Sequence, residues 1–309
     1  MIRYLSRLFF ALFVFATADS ALAEVYPLAG STAMSFLKIG AGARTAGMAE
    51  AGIALVNDAT ACYWNPARLA QMPLKNSFHF QHNVWIAETS VDEIYYATGF
   101  GKHRLGLGGR LLSSGDIPLR EDIPSWDPLD FYQAYDFFGS LSYAFVPSSL
   151  LSVGVSYRRL YEKVYLNSAY GHSLQAGLNF NLLKGDLSLA GTADNIGPRM
   201  QMAGNLFKQP TTFKLGTAYK LPWFAYNGRF TAAADVSKPI DGKWQSRWGG
   251  EYLWRDQLAL RMGYRTGHDT ETYSLGMGCR WRSYEFDYAF VPSLYDLGTS
   301  HRFSLGLGF

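Results

Sequence analysis

The sequence predicts an all-β chain, an antiparallel transmembrane β-barrel of about 14 strands with an N-terminal plug that contains short helices. Three observations predict it. Apolar residues alternate with polar or small ones, segment after segment, from Asn76 to the last residue. The chain ends on a strand, "HRFSLGLGF", closed by the terminal aromatic Phe309. The first residues, "MIRYLSRLFFALFVFATADSALA", read as a cleaved secretory signal.

The ends come first. Arg3 and Arg7 form a basic n-region, Leu8 to Ala16 a short apolar core, and Ala21-Leu22-Ala23 a small-x-small cleavage site. The core is shorter than the roughly 20 residues of a membrane-spanning helix. The expected division is therefore 1–23 signal peptide, 24–75 plug and 76–309 barrel, with the mature chain in the outer membrane.

Composition agrees. Aromatics make up 16% and charged residues only 17% of the 309 residues, below the roughly 25% charged in an ordinary soluble domain. A net charge of +3 argues against a nucleic-acid partner. Two cysteines, Cys62 and Cys279, do not make a disulfide framework, and two free thiols are expected.

The strand segments follow in order. Phe78 and Phe80 mark the first, Ile94 to Phe100 the second, Leu105 to Leu111 the third, and Leu141 to Phe145 the fourth. Val153 to Tyr157, Leu174 to Phe180, Leu187 to Ala193, Phe213 to Tyr219 and Phe230 to Val236 continue the series. Trp248 to Trp254, Leu258 to Tyr264, Tyr273 to Cys279, Tyr284 to Phe290 and Phe303 to Phe309 complete it. Each is near the 9–11 residues that a tilted membrane strand requires. Trp223, Trp248, Trp254, Trp281, Tyr264 and Tyr284 near segment ends suit aromatic girdles at the two lipid–water interfaces. Connections alternate between short and long, with long ones at 114–130, 196–210 and 292–300. The 114–130 loop, "SGDIPLREDIPSWDPLD", is a candidate pore cap or docking element.

The opposite face of the segments carries Arg247, Glu251, Arg261, Arg280, Glu285, Asp287 and Arg302. These are expected to neutralise one another in the lumen, because buried charges persist when paired. Inward glycines such as Gly106, Gly154, Gly177, Gly263 and Gly276 would leave room for the plug. Within the plug, "NDATACYWNPARLA" contains a helix start at Asn65-Pro66. Asn caps free N–H groups and Pro needs no donor at the first helical position. Asp58 can cap the preceding turn, and Tyr63-Trp64 would pack against the wall, with Ala67 beyond them.

At these residues a family resemblance enters. The stretch "STAMSFLKIGAGARTAGMAEAGIALVNDATACYWNPARLAQMP" resembles the N-terminal signature of the PorV/PorQ family of outer-membrane proteins. The closing "DYAFVPSLYDLGTSHRFSLGLGF" resembles that family's C-terminal signature. Asp58-Ala59 and Asn65-Pro66-Ala67 are also similar to elements of FadL-type fatty-acid channels. The resemblance implies a fourteen-stranded barrel with an N-terminal plug. It implies a role in type IX protein secretion or surface attachment through secreted proteins or secretion-system subunits, or else passage of a hydrophobic ligand such as a long-chain fatty acid. Cys62 departs from the small non-thiol residue expected there. Phe309 would belong to the signal read by the barrel-assembly machinery, and outer-membrane lipid would surround the wall.

No catalytic chemistry is expected. The six histidines show no triad spacing, no HExxH or Cys/His metal pattern occurs, and the "GLGG" and "GMG" runs are strand glycines without a following helix. No cofactor or metal is anticipated.

Overall fold

Residues 26–121, 126–221, 226–295 and 297–309 are described by a computed structural model. The signal segment and Trp223 lie outside them. Among the described residues eighteen strands occur, in chain order: β1 Asn76–Val84, β2 Ser90–Phe100, β3 His103–Ser113, β4 Ile117–Leu119, β5 Asp130–Tyr132, β6 Ala134–Phe145, β7 Leu151–Val164, β8 Asn167–Leu182 and β9 Leu187–Ile196. Then come β10 Met200–Met202, β11 Asn205–Phe207, β12 Thr212–Leu221, β13 Gly228–Pro239, β14 Gln245–Trp254, β15 Leu258–Thr266, β16 Tyr273–Trp281, β17 Tyr284–Pro292 and β18 Thr299–Gly308.

Fourteen of them close a single antiparallel barrel; β4–β5 and β10–β11 are small hairpins in two of the long loops. Closure joins β18 to β1, from Ser77 opposite Gly308 to Val84 opposite His301. Backbone bonds between Asn76 and Phe309 extend that seam to the terminal residue. With every barrel strand paired on both sides, the wall leaves no backbone edge to lipid. Among the described residues its ladders carry one register shift, between Leu174 and Ala176 where β8 meets β9.

The alternation is as read from the sequence. On β8 the outward Leu174 and Leu178 are exposed while Ser173, Gln175 and Asn179 are buried inside. His82 and Asp92 face outward near the long-loop ends of β1 and β2, and pair with each other at 2.7 Å. The longest strands, β7 and β8 with 14 and 16 residues, meet in a tight turn at Tyr165 and Leu166. At about 3.4 Å per residue, β8 is longer than a bilayer crossing requires, so this hairpin stands above the membrane.

The core lies inside the barrel. Residues 34–69 are largely buried, and Ala41, Ala43, Ala46, Met48, Ile53, Ala61, Cys62 and Leu69 have no exposed surface. The segment makes only short helical turns: Ser35–Lys38, Ala43–Ala46, Ala61–Trp64 and Pro66–Gln71. Small residues explain how it fits. A Cβ added to Gly276 on β16 would lie 3.0 Å from the Gly47 Cα, so glycine is needed on the wall where the two backbones meet. Asn65 is extended (φ −164°), and its Oδ1 accepts a hydrogen bond from the Ala67 N–H at 3.0 Å, with Pro66 at the first helical position. Asp58 Oδ1 accepts from the Thr60 N–H at 2.7 Å and so stabilises the turn leading into Ala61–Trp64.

Candidate functional site

Among the described residues the interior holds paired charges, Lys214 with Asp194 at 2.8 Å among them, and three larger groups. In the first, Glu251 on β14 accepts two bonds from Arg44, at 2.8 and 2.9 Å, and one from Arg261 at 2.7 Å. Arg261 also donates to Asp287 at 2.6 Å, and Arg280 to Glu285 at 3.0 Å. In the second, Glu50 accepts from Arg302 at 3.0 Å and from the Gly40 N–H at 3.0 Å, with Arg265 at 3.7 Å. Burial alone would raise the pKa of Glu50; Arg265 and Arg302 override it and hold the carboxyl well below the usual carboxylate range. In the third, Arg110 pairs with Glu93 at 3.2 Å and lies over the rings of Phe36 and Tyr63.

These bonds tie the N-terminal segment to the wall. Arg158 donates to the Tyr63 carbonyl at 3.0 Å and to Gln175 at 2.8 Å; Gln175 in turn donates to the same carbonyl at 2.9 Å. Tyr63 and Trp64 do more than touch the wall. The Tyr63 hydroxyl donates to the Leu37 and Ile39 carbonyls, and the Trp64 indole to the Ala41 carbonyl, so both rings fasten the segment to itself. Asn65 donates to the carbonyls of Ile53 and Leu178, each at 3.2 Å, bridging segment and β8.

Some expected neighbours do not meet. Arg302 stands opposite Ala289, while Asp287 stands opposite Ser304, so Arg302 turns inward to Glu50 and the Gly40 carbonyl. Arg247 bonds to Ser237 and Gln245 and forms no ion pair within 4.0 Å among the described residues. Sequence reasoning missed Arg44 and Glu50. Their signal was present: they are the two charged residues inside the buried Gly/Ala run 40–54. Both cysteines are free; burial pushes the Cys62 thiol up to about 12, and Cys279 faces outward.

The barrel has two distinct ends. The short connections, such as 101–102 and 282–283, share one end with Phe309. The β4–β5 and β10–β11 hairpins lie at the other. The beginning of the described chain is at this long-loop end, where Thr32 donates to Asp241 at 2.6 Å, Lys38 pairs with the same carboxylate, and Lys238 lies over the Tyr26 ring. Among the described residues two cavities reach the interior at the short-turn end, of about 250 and 80 Å³; apolar residues such as Val56, Met72 and Leu74 line the larger one together with polar and charged ones. Two larger grooves, of about 870 and 570 Å³, lie on the outward face around Tyr252, Leu260, Met277 and Tyr288.

A family model described as type IX secretion system protein PorV matches residues 27–241. The chain belongs to the PorV family. Its barrel is an outer-membrane one, a class in which short turns face the periplasm and longer loops the outside. Among solved structures, the chain is similar to the Pseudomonas putida toluene transporter TodX (TM-score 0.65, 12% identity, 87% of this chain and 99% of that one). It is also similar to the monoaromatic hydrocarbon channel CymD (TM-score 0.62, 13% identity, 87% and 98%). At these identities the likeness establishes the FadL-like barrel fold. A comparison with curated proteins finds no match.

Proposed function

We propose that this PorV-family barrel is a non-enzymatic scaffold that binds protein partners at its outer rim during type IX secretion or surface attachment, with the N-terminal segment acting as a plug. The observation that carries this reading is the apolar character of the outer loops. Trp126 is 99% exposed, and Leu129, Phe131, Leu206 and Tyr295 are also exposed. Lipid covers the wall but not loops beyond it, and large exposed apolar side chains mark protein-binding surfaces. The bonded interior supports the same reading, because the buried N-terminal segment leaves only small interior cavities, of about 250 and 80 Å³, among those described.

The test is native purification from the outer membrane, comparing the wild type with Trp126→Ser/Phe131→Ser. Secreted proteins or envelope subunits should accompany the wild type and fall by about tenfold or more with the variant, as loss of central aromatic anchors does elsewhere. Equal recovery from both would sink the docking role of this hairpin. The second reading, a passive channel for hydrophobic molecules, is favoured by the wall irregularity at Leu174/Ala176, where a lateral opening would sit. An acyl chain bound to the purified protein, without any protein partner, would support it.

A further inference from the structure

The outward face of β14–β17 is not uniform, and its relief follows from residue size. The ladders set side chains there in rows that run across the four strands. Trp254, Leu258, Cys279 and Phe286 form one row. Tyr252, Leu260, Met277 and Tyr288 form the next. Each row begins and ends on an aromatic ring and is slimmer between. The aliphatic side chains of β15 and β16 are thus a floor, and the rings of β14 and β17 are walls. The grooves of about 870 and 570 Å³ share the second row and make one trough.

The two ends of the trough differ. Met262 and Leu275 carry the floor one row further, and beyond them the opposed rings of Tyr264 and Tyr273 close it. From Leu275 to Cys279 the floor is about 14 Å long. That is about half of the roughly 30 Å bilayer core, the depth of one leaflet. The other end opens between the β14–β15 and β16–β17 turns, and each turn carries an arginine on a tryptophan. Arg255 lies over Trp254 at 4.7 Å, and Arg282 over Trp281 at 5.1 Å. Neither guanidinium pairs with a carboxylate among the described residues. Of the acids beside them, Asp256 pairs with Arg229, while Glu285 is on the inward face and pairs with Arg280.

We propose that this trough holds one acyl chain of an anionic glycerophospholipid of the periplasmic leaflet, with the phosphate at Arg255 and Arg282. The short turns of an outer-membrane barrel face the periplasm, and tryptophans there sit at headgroup level. On a flat wall a lipid chain touches protein on one side. Here it touches floor and both walls, and its dispersion contacts rise accordingly. Met262 and Met277 let the floor adapt to the chain. The two turns are two strand spacings apart, about 10 Å, within reach of two arginine side chains. Guanidinium groups bind phosphate through paired N–H donors.

The test offers phosphatidylglycerol in mixed micelles to the full-length protein and counts retained lipid by native mass spectrometry. Wild type should saturate at one lipid per barrel. Arg255→Gln and Arg282→Gln should each raise the half-saturating lipid fraction roughly fivefold, the scale of one cation at an anionic membrane surface. Met277→Trp, which fills the floor from the lipid side, should abolish retention. Lys184→Gln is the control: this exposed lysine lies in the β8–β9 turn at the same end, and its loss should change nothing. Zwitterionic phosphatidylcholine with the same chains should bind more weakly than phosphatidylglycerol. Lipid that never reaches a fixed stoichiometry, or that the arginine variants hold as wild type does, overturns the proposal. Loss with Met277→Trp alone would assign the trough to an apolar molecule without an anionic head. A membrane protein that accompanies lipid-free wild type and is lost with Met277→Trp would make it a protein contact; both outcomes also overturn the proposal. The trough lies at the opposite end of the barrel from Trp126 and Phe131, so lipid retention and partner capture are read separately.

Discussion

Glu50 concentrates the residue-scale argument. It and Ala49 have positive φ (65° and 53°), a conformation that costs a non-glycine residue energy. Its carboxylate is held by Arg302, Arg265 and the Gly40 N–H, which together fix the turn against β15 and β18. Glu50→Gln should destabilise the protein by about 3–5 kcal/mol near neutral pH, because buried Arg302 loses its counter-charge and Arg265 is left with Glu271 alone. The folded pKa of Glu50 lies below its ordinary 4.5, so its stabilisation is complete above that value and is lost as pH falls through it toward the folded pKa. The gap in thermal midpoint between wild type and variant should therefore narrow as pH drops below 4.5. A constant gap across that window would refute the assignment. Arg44 and Glu50 were legible as anomalies, charges in a Gly/Ala run, but their partners are more than 200 residues away in the chain. No local pattern carries that distance.

At the scale of elements, the fit between the N-terminal segment and the wall depends on glycines whose substitution should discriminate by position. Gly276→Val would force a side chain onto the Gly47 backbone and should cost about 1–3 kcal/mol, with faster proteolytic cleavage near residue 47. Gly306 also faces inward, but its nearest outside atom would be at 3.5 Å, an ordinary contact, so Gly306→Ala should leave the cleavage pattern unchanged. Identical protease sensitivity in the two variants would contradict the close packing at Gly47. The strands themselves were legible wherever they cross lipid, because an apolar outward face and a polar inward face force a period of two. The upper halves of β7 and β8 were not. Above the membrane the outward face is wet, so Arg159, Lys163 and His172 stand where apolar residues would otherwise mark the alternation.

For the whole molecule, the closed wall and filled lumen predict a barrel that scarcely conducts. In planar bilayers the intact protein should show little current, and deletion of residues 34–72 should produce large, porin-like steps. Comparable conductance before and after deletion would show that the segment does not obstruct the lumen. The sequence by itself determined the class of fold, the fourteen wall strands, which residues face inward, and the cap at Asn65. All of these follow from local periodicity or from bonds between near neighbours in the chain. Tertiary structure alone decided that Arg302 meets Glu50 rather than Asp287, and that Tyr63 and Trp64 fasten the segment to itself. The reason is geometric. A period of two states which face a side chain occupies, whereas barrel closure and the path of the inserted segment set which inward side chains come within bonding distance.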